Sequence, residues 1–362
     1  MRPAISAAPA PPPAAAAAVV REDTESILAA CSADLRLLCG RTLLVTGASG
    51  FVGSYLVESI CAWNAAQSNP CTLLFPVRSP AAARRRFAPL FQTDATPWIA
   101  WPPGRDLCQV IDRDADFIIH AASPADPAGY RQDAHGCLVS IADLTRQVVE
   151  YAKRASAQRI LYISSGAVYG QQPSHLAAIP ESYTGSPHLG SPSACYAEAK
   201  RYSELLCQTS AVDTVVARLF CFLGPYQSLN ASFAAPNFLC QAIRDGQIRL
   251  DSDGSALRTF CYSSDLAICL WKLLLRGRAG DIVNVGSGEP VVSILELARA
   301  IARHVGGVPV KVLPAGKDET AAHSRYIPDI TRLHAFYSPA VSLDDAIART
   351  VRAHATETQR NL

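Results

Sequence analysis

Net charge is almost absent from this chain: 33 Lys and Arg stand against 31 Asp and Glu, leaving a formal +2. That balance excludes the broad field with which a protein meets nucleic acid or a membrane surface. No apolar run approaches the roughly 18 residues that span a bilayer, and the longest are interrupted by charge or proline. There is no C-x-x-C pair and no Cys/His group at zinc spacing. The 12 cysteines are scattered singly, so neither a disulfide framework nor a metal site is expected, and they read as reduced thiols of a cytoplasmic protein. Charged residues are scarce at 18%, against 49% hydrophobic, which rules out disorder of the chain as a whole.

What remains is a chain of 362 residues, long enough for one large α/β domain with a smaller lobe. Residues 1–20, with Pro11 to Pro13 inside an Ala-rich stretch that leads into Arg21, Glu22 and Asp23, read as a disordered Pro/Ala tail rather than a secretory signal. Ser26 to Leu38 is predicted to be a short helix stopped by Gly40. From Thr42 onward, apolar runs rich in β-branched residues (TLLVTG, TLLFPV, FIIHAAS, RILYISS, TVVARLF) alternate with helical stretches. That rhythm predicts a parallel sheet covered on both faces, a doubly wound Rossmann-type α/β fold. The expected division is a cofactor-binding domain over 21–222, with 262–285 returning to it. A substrate lobe would comprise 223–261 and 286–350, and a second tail 351–362.

Strand TLLVTG runs into Gly47-Ala48-Ser49-Gly50-Phe51-Val52-Gly53 and then a helix. In that position glycines let backbone approach a pyrophosphate, while the helix N-terminus offers free N–H groups to it. At the end of the second strand a ribose 2′-hydroxyl would call for Asp or Glu. Arg78 stands there instead, with Arg84, Arg85 and Arg86 following, which favours NADP(H) over NAD(H). Tyr196 and Lys200 are four apart on a predicted helix and share a face. Ser165 ends strand RILYISS. Such a trio supplies a phenol that exchanges a proton with a carbinol, an ammonium that lowers the phenol's pKa and holds a ribose, and a hydroxyl that fixes the substrate oxygen.

With TGASGFVG, HAAS, YISSGAVYG, YAEAK, Gly224-Pro225, LRTFCYSSDL and NVGSGEP in this order, the chain resembles the extended short-chain dehydrogenase/reductases of the NAD-dependent epimerase/dehydratase family from about Arg41 to about Val351. Locally, HAASPADPAGY, SACYAEAKR and PNFL resemble the UDP-glucuronate decarboxylases. The resemblance implies an enzyme acting on a nucleotide-diphosphate sugar. Ser165, Tyr196 and Lys200 would be catalytic, and the cofactor would also touch Ala121, Ala122 and Ser123. Ser123, Tyr130, Ser165, Asn237 and Arg258 would face the substrate. It also implies a homodimer through the Tyr196 helix and the long helix before it, with Leu144, Val148, Val149, Leu205 and Leu206 as candidate seam residues.

Departures from the family pattern narrow the reaction. Where sugar 4,6-dehydratases carry an Asp-Glu pair after the catalytic hydroxyl, this chain has Gly166 and Ala167, and the decarboxylases' Glu is likewise Ala167. What remains is hydride and proton exchange at one carbinol carbon, C4 of the sugar, as in a 4-epimerase or 4-ketosugar reductase. The alternatives are a dehydratase or decarboxylase with a relocated acid, a reductase of a non-nucleotide carbonyl, and a non-catalytic NADP(H)-binding sensor or scaffold. Cys221 replaces the usual Asn before Gly-Pro, and WIAWPPGRD replaces the usual adenine segment. His120 reads as structural and His175 and His188 as solvated. Asp251, Asp253 and Asp265 suit turns or caps, and Trp98 and Trp101 suit packing.

Overall fold

The computed structural model describes residues 14–87, 97–191, 193–229, 232–313 and 324–359. The chain begins there with helix α1 (Ala14–Leu35), and the expected tail therefore gives way to helix from Ala14. Alanine is the best helix former, and Ala16, Val19, Val20, Ile27, Cys31 and Leu35 are all buried along one face. Their spacing is helical, but a run of alanines hides it from a pattern of polar and apolar letters.

There follow β1 (Thr42–Thr46), α2 (Phe51–Asn64), β2 (Thr72–Val77), α3 (Pro80–Arg86), β3 (Trp98–Ala100) and the single turn α4 (Leu107–Val110). Next are β4 (Phe117–His120), α5 (Pro127–Gln132), α6 (Ala134–Arg154), β5 (Arg159–Ser165), α7 (Ala194–Gln208) and β6 (Thr214–Leu219). The lobe contributes β7 (Phe222–Leu223), α8 (Ala234–Asp245), β8 (Ile248–Leu250), β9 (Leu257–Arg258) and β10 (Cys261–Tyr262). Helix α9 (Ser263–Arg276) and β11 (Ile282–Val285) return to the main sheet. The last elements are β12 (Val292–Ser293), α10 (Ile294–His304), β13 (Val310–Val312), β14 (Arg325–Tyr326) and α11 (Leu343–Gln359). The tail expected from 351 is thus helical to Gln359, with Ala353 and His354 buried.

Seven parallel strands form the main sheet in the order β11-β6-β5-β4-β1-β2-β3. The runs read as strands because both faces are covered. Leu43 and Val45 enter the layer of α1, α2 and α9, whereas Leu44 joins Ile118, Ile160 and Val216 against α6 and α7. Strand order reverses between β4, β1 and β2, which opens a crevice at their carboxyl ends. A separate core of Leu223, Phe238, Leu239, Ile243, Leu297 and Ile301 holds the lobe.

Val148 and Val149, expected in a dimer seam, are buried against the sheet, because α6 turns that side inward. Leu144 and Leu206 pack partly on the same core, and Leu205 is exposed. No helix among the described residues is long and apolar enough to cross a membrane.

Candidate active site

The crevice is lined first by the glycine turn after β1. Gly47 has φ +71°, and a Cβ there would lie 2.6 Å from the carbonyl carbon of Ala121, so the turn sits directly on the chain leaving β4. At Gly53, in the first turn of α2, a Cβ would lie 2.2 Å from the Gly47 carbonyl oxygen. A turn shaped this way is a cradle without side chains. The amides of Phe51, Val52 and Gly53 belong to the first turn of α2, which a helix cannot satisfy internally and which carries partial positive charge. The half-buried Ser49 borders the turn, while the Phe51 ring turns away to stack on Phe222 at 5.0 Å. These residues fit a dinucleotide pyrophosphate.

Arg78 is exposed just beyond β2, followed by Ser79, which caps α3. Arg84 and Arg85 are exposed as well. Arg86 is not available to a phosphate as the run of arginines suggests: it is buried, donates to Ser54 at 3.1 Å and lies 4.8 Å from the centre of the Tyr226 ring. Helix α3 faces that residue inward, toward the core rather than the solvent.

Two strands from β1, β5 ends at Ser165, whose hydroxyl accepts from the Ala167 amide at 3.1 Å. Tyr196 and Lys200 project from α7 toward it. The Lys200 ammonium donates to the Ile163 carbonyl at 2.8 Å, and lies 5.1 Å and 5.9 Å from the Tyr162 and Tyr196 ring centres. Burial pushes the Tyr196 phenol up to about 12, opposed by hydrogen bonding with Ser165. Burial likewise lowers Lys200 to about 8. Burial thus disfavours the charged form of both groups, raising the phenol and lowering the ammonium. From α5, Tyr130 stacks on Tyr196 with centres 5.4 Å apart and planes at 18°. It therefore touches the Tyr196 ring itself, beyond the substrate contact implied by its sequence context.

A buried polar chain behind the trio fixes its helices to the sheet. Thr46 bonds His120 Nδ1 at 2.8 Å, His120 Nε2 bonds Thr145 at 3.1 Å, and Thr145 donates to Ser203 at 3.0 Å. Burial drives His120 down to about 3, so it is a neutral connector. Glu204 accepts from Ser164, one residue before Ser165, and pairs with Arg218 at 2.6 Å. That pair had no sequence signal, since its members lie on different elements.

On the lobe side, Arg258 donates to the Ser324 carbonyl at 2.9 Å and the Ser324 hydroxyl at 3.1 Å, and its guanidinium lies 5.9 Å from the Tyr326 ring centre. The Cys221 thiol is pushed up to about 11 by burial, opposed by Arg258. Asn237 stands on the exposed face of α8, accepting from Gln241 at 3.4 Å, and Ser123 is half-buried beyond β4. His175 and His188 are exposed, and Trp98 is buried in a stack with Phe87. Asp265 accepts from the Tyr337 hydroxyl and the Ala340 and Val341 amides. Among the described residues no cluster of His, Cys, Asp or Glu could hold a metal ion.

The family model for the NAD-dependent epimerase/dehydratase family matches residues 43–286. The chain is 29% identical over 322 residues to UDP-glucuronic acid decarboxylase 1 of Xenopus tropicalis, covering 86% of this chain and 71% of that protein. It is 26% identical over 312 residues to UDP-glucuronic acid decarboxylase 5 of Arabidopsis thaliana, with 83% of each covered. An epimerase from Methanothermobacter thermautotrophicus superposes with a TM-score of 0.77 at 21% identity, over 92% of this chain and 98% of that one, a likeness of fold. A dTDP-glucose 4,6-dehydratase from Streptomyces venezuelae, solved with NAD, superposes with a TM-score of 0.72 at 26% identity, over 87% and 97%.

Proposed function

The chain belongs to the NAD-dependent epimerase/dehydratase family, and from that premise we propose that it exchanges a hydride and a proton at C4 of a nucleotide-diphosphate sugar, as a 4-epimerase or 4-ketosugar reductase. The observation that carries this reading is the company of Ser165. The serine has a phenol and an ammonium beside it, yet the next two residues, Gly166 and Ala167, bear no group that could expel water from C5 and C6. Bound in the crevice, the nicotinamide supplies a hydride acceptor or donor. Tyr196 takes or returns the proton of the C4 hydroxyl, Ser165 orients that oxygen, and Lys200 stabilises the phenolate. The glycine turn and the N-terminus of α2 hold the cofactor's pyrophosphate, while Arg258 suits the substrate's diphosphate. Purified protein incubated with a panel of UDP-, dTDP-, GDP- and CDP-sugars should interconvert C4 epimers or reduce a 4-ketosugar. A 4-keto-6-deoxy product would overturn the reading.

The decarboxylase relatives support a second reading. Once C4 of a uronic acid is a ketone, the C6 carboxylate is β to it and can leave as CO2 without an acid at 166 or 167. UDP-glucuronate therefore belongs in the panel, and release of CO2 with a UDP-pentose would select this branch. For the cofactor we propose NADP(H), because Arg78 stands where a carboxylate would select a ribose hydroxyl. Calorimetry should show tighter binding of NADP(H) than NAD(H), and loss of that preference in Arg78→Ala.

A further inference from the structure

We propose that Tyr326 is a positioning residue of the active site, a second phenol that acts through Ser165, and that position 166 is glycine to make room for it. The inference rests on the C4 reading above for what Ser165 does. Gly166 is not among the glycines with positive φ, so backbone conformation does not require it. Space does: a Cβ there would lie 2.5 Å from the Tyr326 hydroxyl oxygen and 2.7 Å from Cζ of Phe220. The phenol thus fills the volume that a side chain next to Ser165 would otherwise take.

Tyr326 is held there from several sides. β14 pairs with β9 so that Tyr326 stands opposite Arg258. Its ring centre is 4.6 Å from that of Phe220. The Ile327 amide donates to Gln172 at 2.9 Å, and the Ile179 amide to the Ile327 carbonyl at 2.8 Å. Beside Gly166, the Tyr326 hydroxyl comes up to the residue next to Ser165, and the serine hydroxyl opposes the rise that burial gives to both phenols, Tyr196 and Tyr326. One of its lone pairs is taken by the Ala167 amide. With Tyr326 donating to the other, the serine's own proton is directed to the Tyr196 oxygen or the substrate oxygen, and the phenolate form of Tyr196 is favoured. Tyr196 is otherwise faced by Lys200 on its own helix, Tyr130 from α5 and Cys137 from α6. Tyr326 is otherwise faced by Cys221 and Arg258.

The test uses the full chain saturated with oxidised nicotinamide cofactor. Tyr196 ionisation is followed by tyrosinate absorbance, with Tyr196→Phe as the blank, and turnover is followed against pH. Tyr326→Phe should move the Tyr196 midpoint up by about one pH unit and carry the pH limb of kcat with it. It should lower kcat about tenfold with KM little changed. Gly166→Ala, by displacing the hydroxyl, should reproduce both shifts. In a Ser165→Ala background Tyr326→Phe should add nothing. An unmoved midpoint in Tyr326→Phe, or full additivity with Ser165→Ala, overturns the proposal. Should Gly166→Ala fail to fold, the Tyr326→Phe and Ser165→Ala pair decides alone. A shifted midpoint in a protein that turns over no nucleotide sugar would leave the positioning role standing and sink the C4 reading; turnover with an unmoved midpoint would do the reverse.

Discussion

Removing a phenol and an ammonium from water drives their proton affinities in opposite directions, and Tyr196 and Lys200 experience this on one face of one helix. Tyr196→Phe keeps the stack with Tyr130 but removes the transferable proton. Turnover should fall about a hundredfold or more while calorimetric affinity for the cofactor stays near wild type. Lys200→Ala should lower both. The lysine also sets a pH dependence. Because its pKa is lowered to about 8, the free protein carries the charge below that pH and loses it above. Cofactor affinity of the wild type should therefore decline as pH rises through about 8, and that decline should be missing in Lys200→Ala. Ser165→Ala should be milder than either, since a substrate alcohol can still reach Tyr196.

Helix α1 is held to the rest of the molecule by two buried acids, Asp23 and Asp34, the second of them paired with Lys272 and Arg276 of α9. Asp23 accepts from Tyr262 at 2.7 Å, Arg349 at 3.0 Å and Tyr55 at 3.2 Å, and so ties α1 to α2, β10 and α11 at once. Burial raises its pKa and these hydrogen bonds oppose the rise. Asp23→Ala leaves a guanidinium and two phenols without their acceptor and should destabilise by about 3–5 kcal/mol in chemical denaturation, whereas Asp23→Asn should cost less. The elements that could be read from sequence are those whose signal is local. Thr42 to Thr46 is a continuous apolar run, Gly47 to Gly53 is a turn with its own spacing, and Tyr196 and Lys200 are one helical turn apart. The second part of α1 agrees with the helix expected from Ser26, whereas the part before it escaped because its alanines carry no alternation. Arg86 was misread because its side chain is placed by Ser54 and Tyr226, and Tyr326 gave no signal because a two-residue strand, β14, brings it to Ser165 from the far end of the chain.

Taken whole, the molecule exposes Leu138 and Val139 on α6 and Tyr202 and Leu205 on α7, two helices that pack side by side. These residues, rather than the inward Val148 and Val149, are the candidates for a homodimer seam. Light scattering at micromolar concentration should give a dimer, and Leu205→Glu a monomer. The thiols predict an alkaline limit to stability. Cys31, Cys61, Cys71, Cys137 and Cys207 are each pushed up from 9.0 to about 12 by burial. An unfolded chain thus sheds these protons first, and the stability they confer is whole below pH 9 and lost as pH rises toward 12. Lys200 works in the opposite sense between about 8 and 10.5, one group against these thiols. The thermal midpoint should fall by about 5–10 °C between pH 8.5 and 10.5. The pairing of Asp23 with Arg349 spans 326 positions, and that distance is also an interval of time. A ribosome adding ~5–20 residues per second delivers the arginine roughly 16–65 s after the aspartate. Through that interval Ala16 and Val19, at the start of the α1 stripe, have no Ala353 of α11 to lie against, whereas Val20, Ile27, Cys31 and Leu35 meet α2 and α9, which are made earlier.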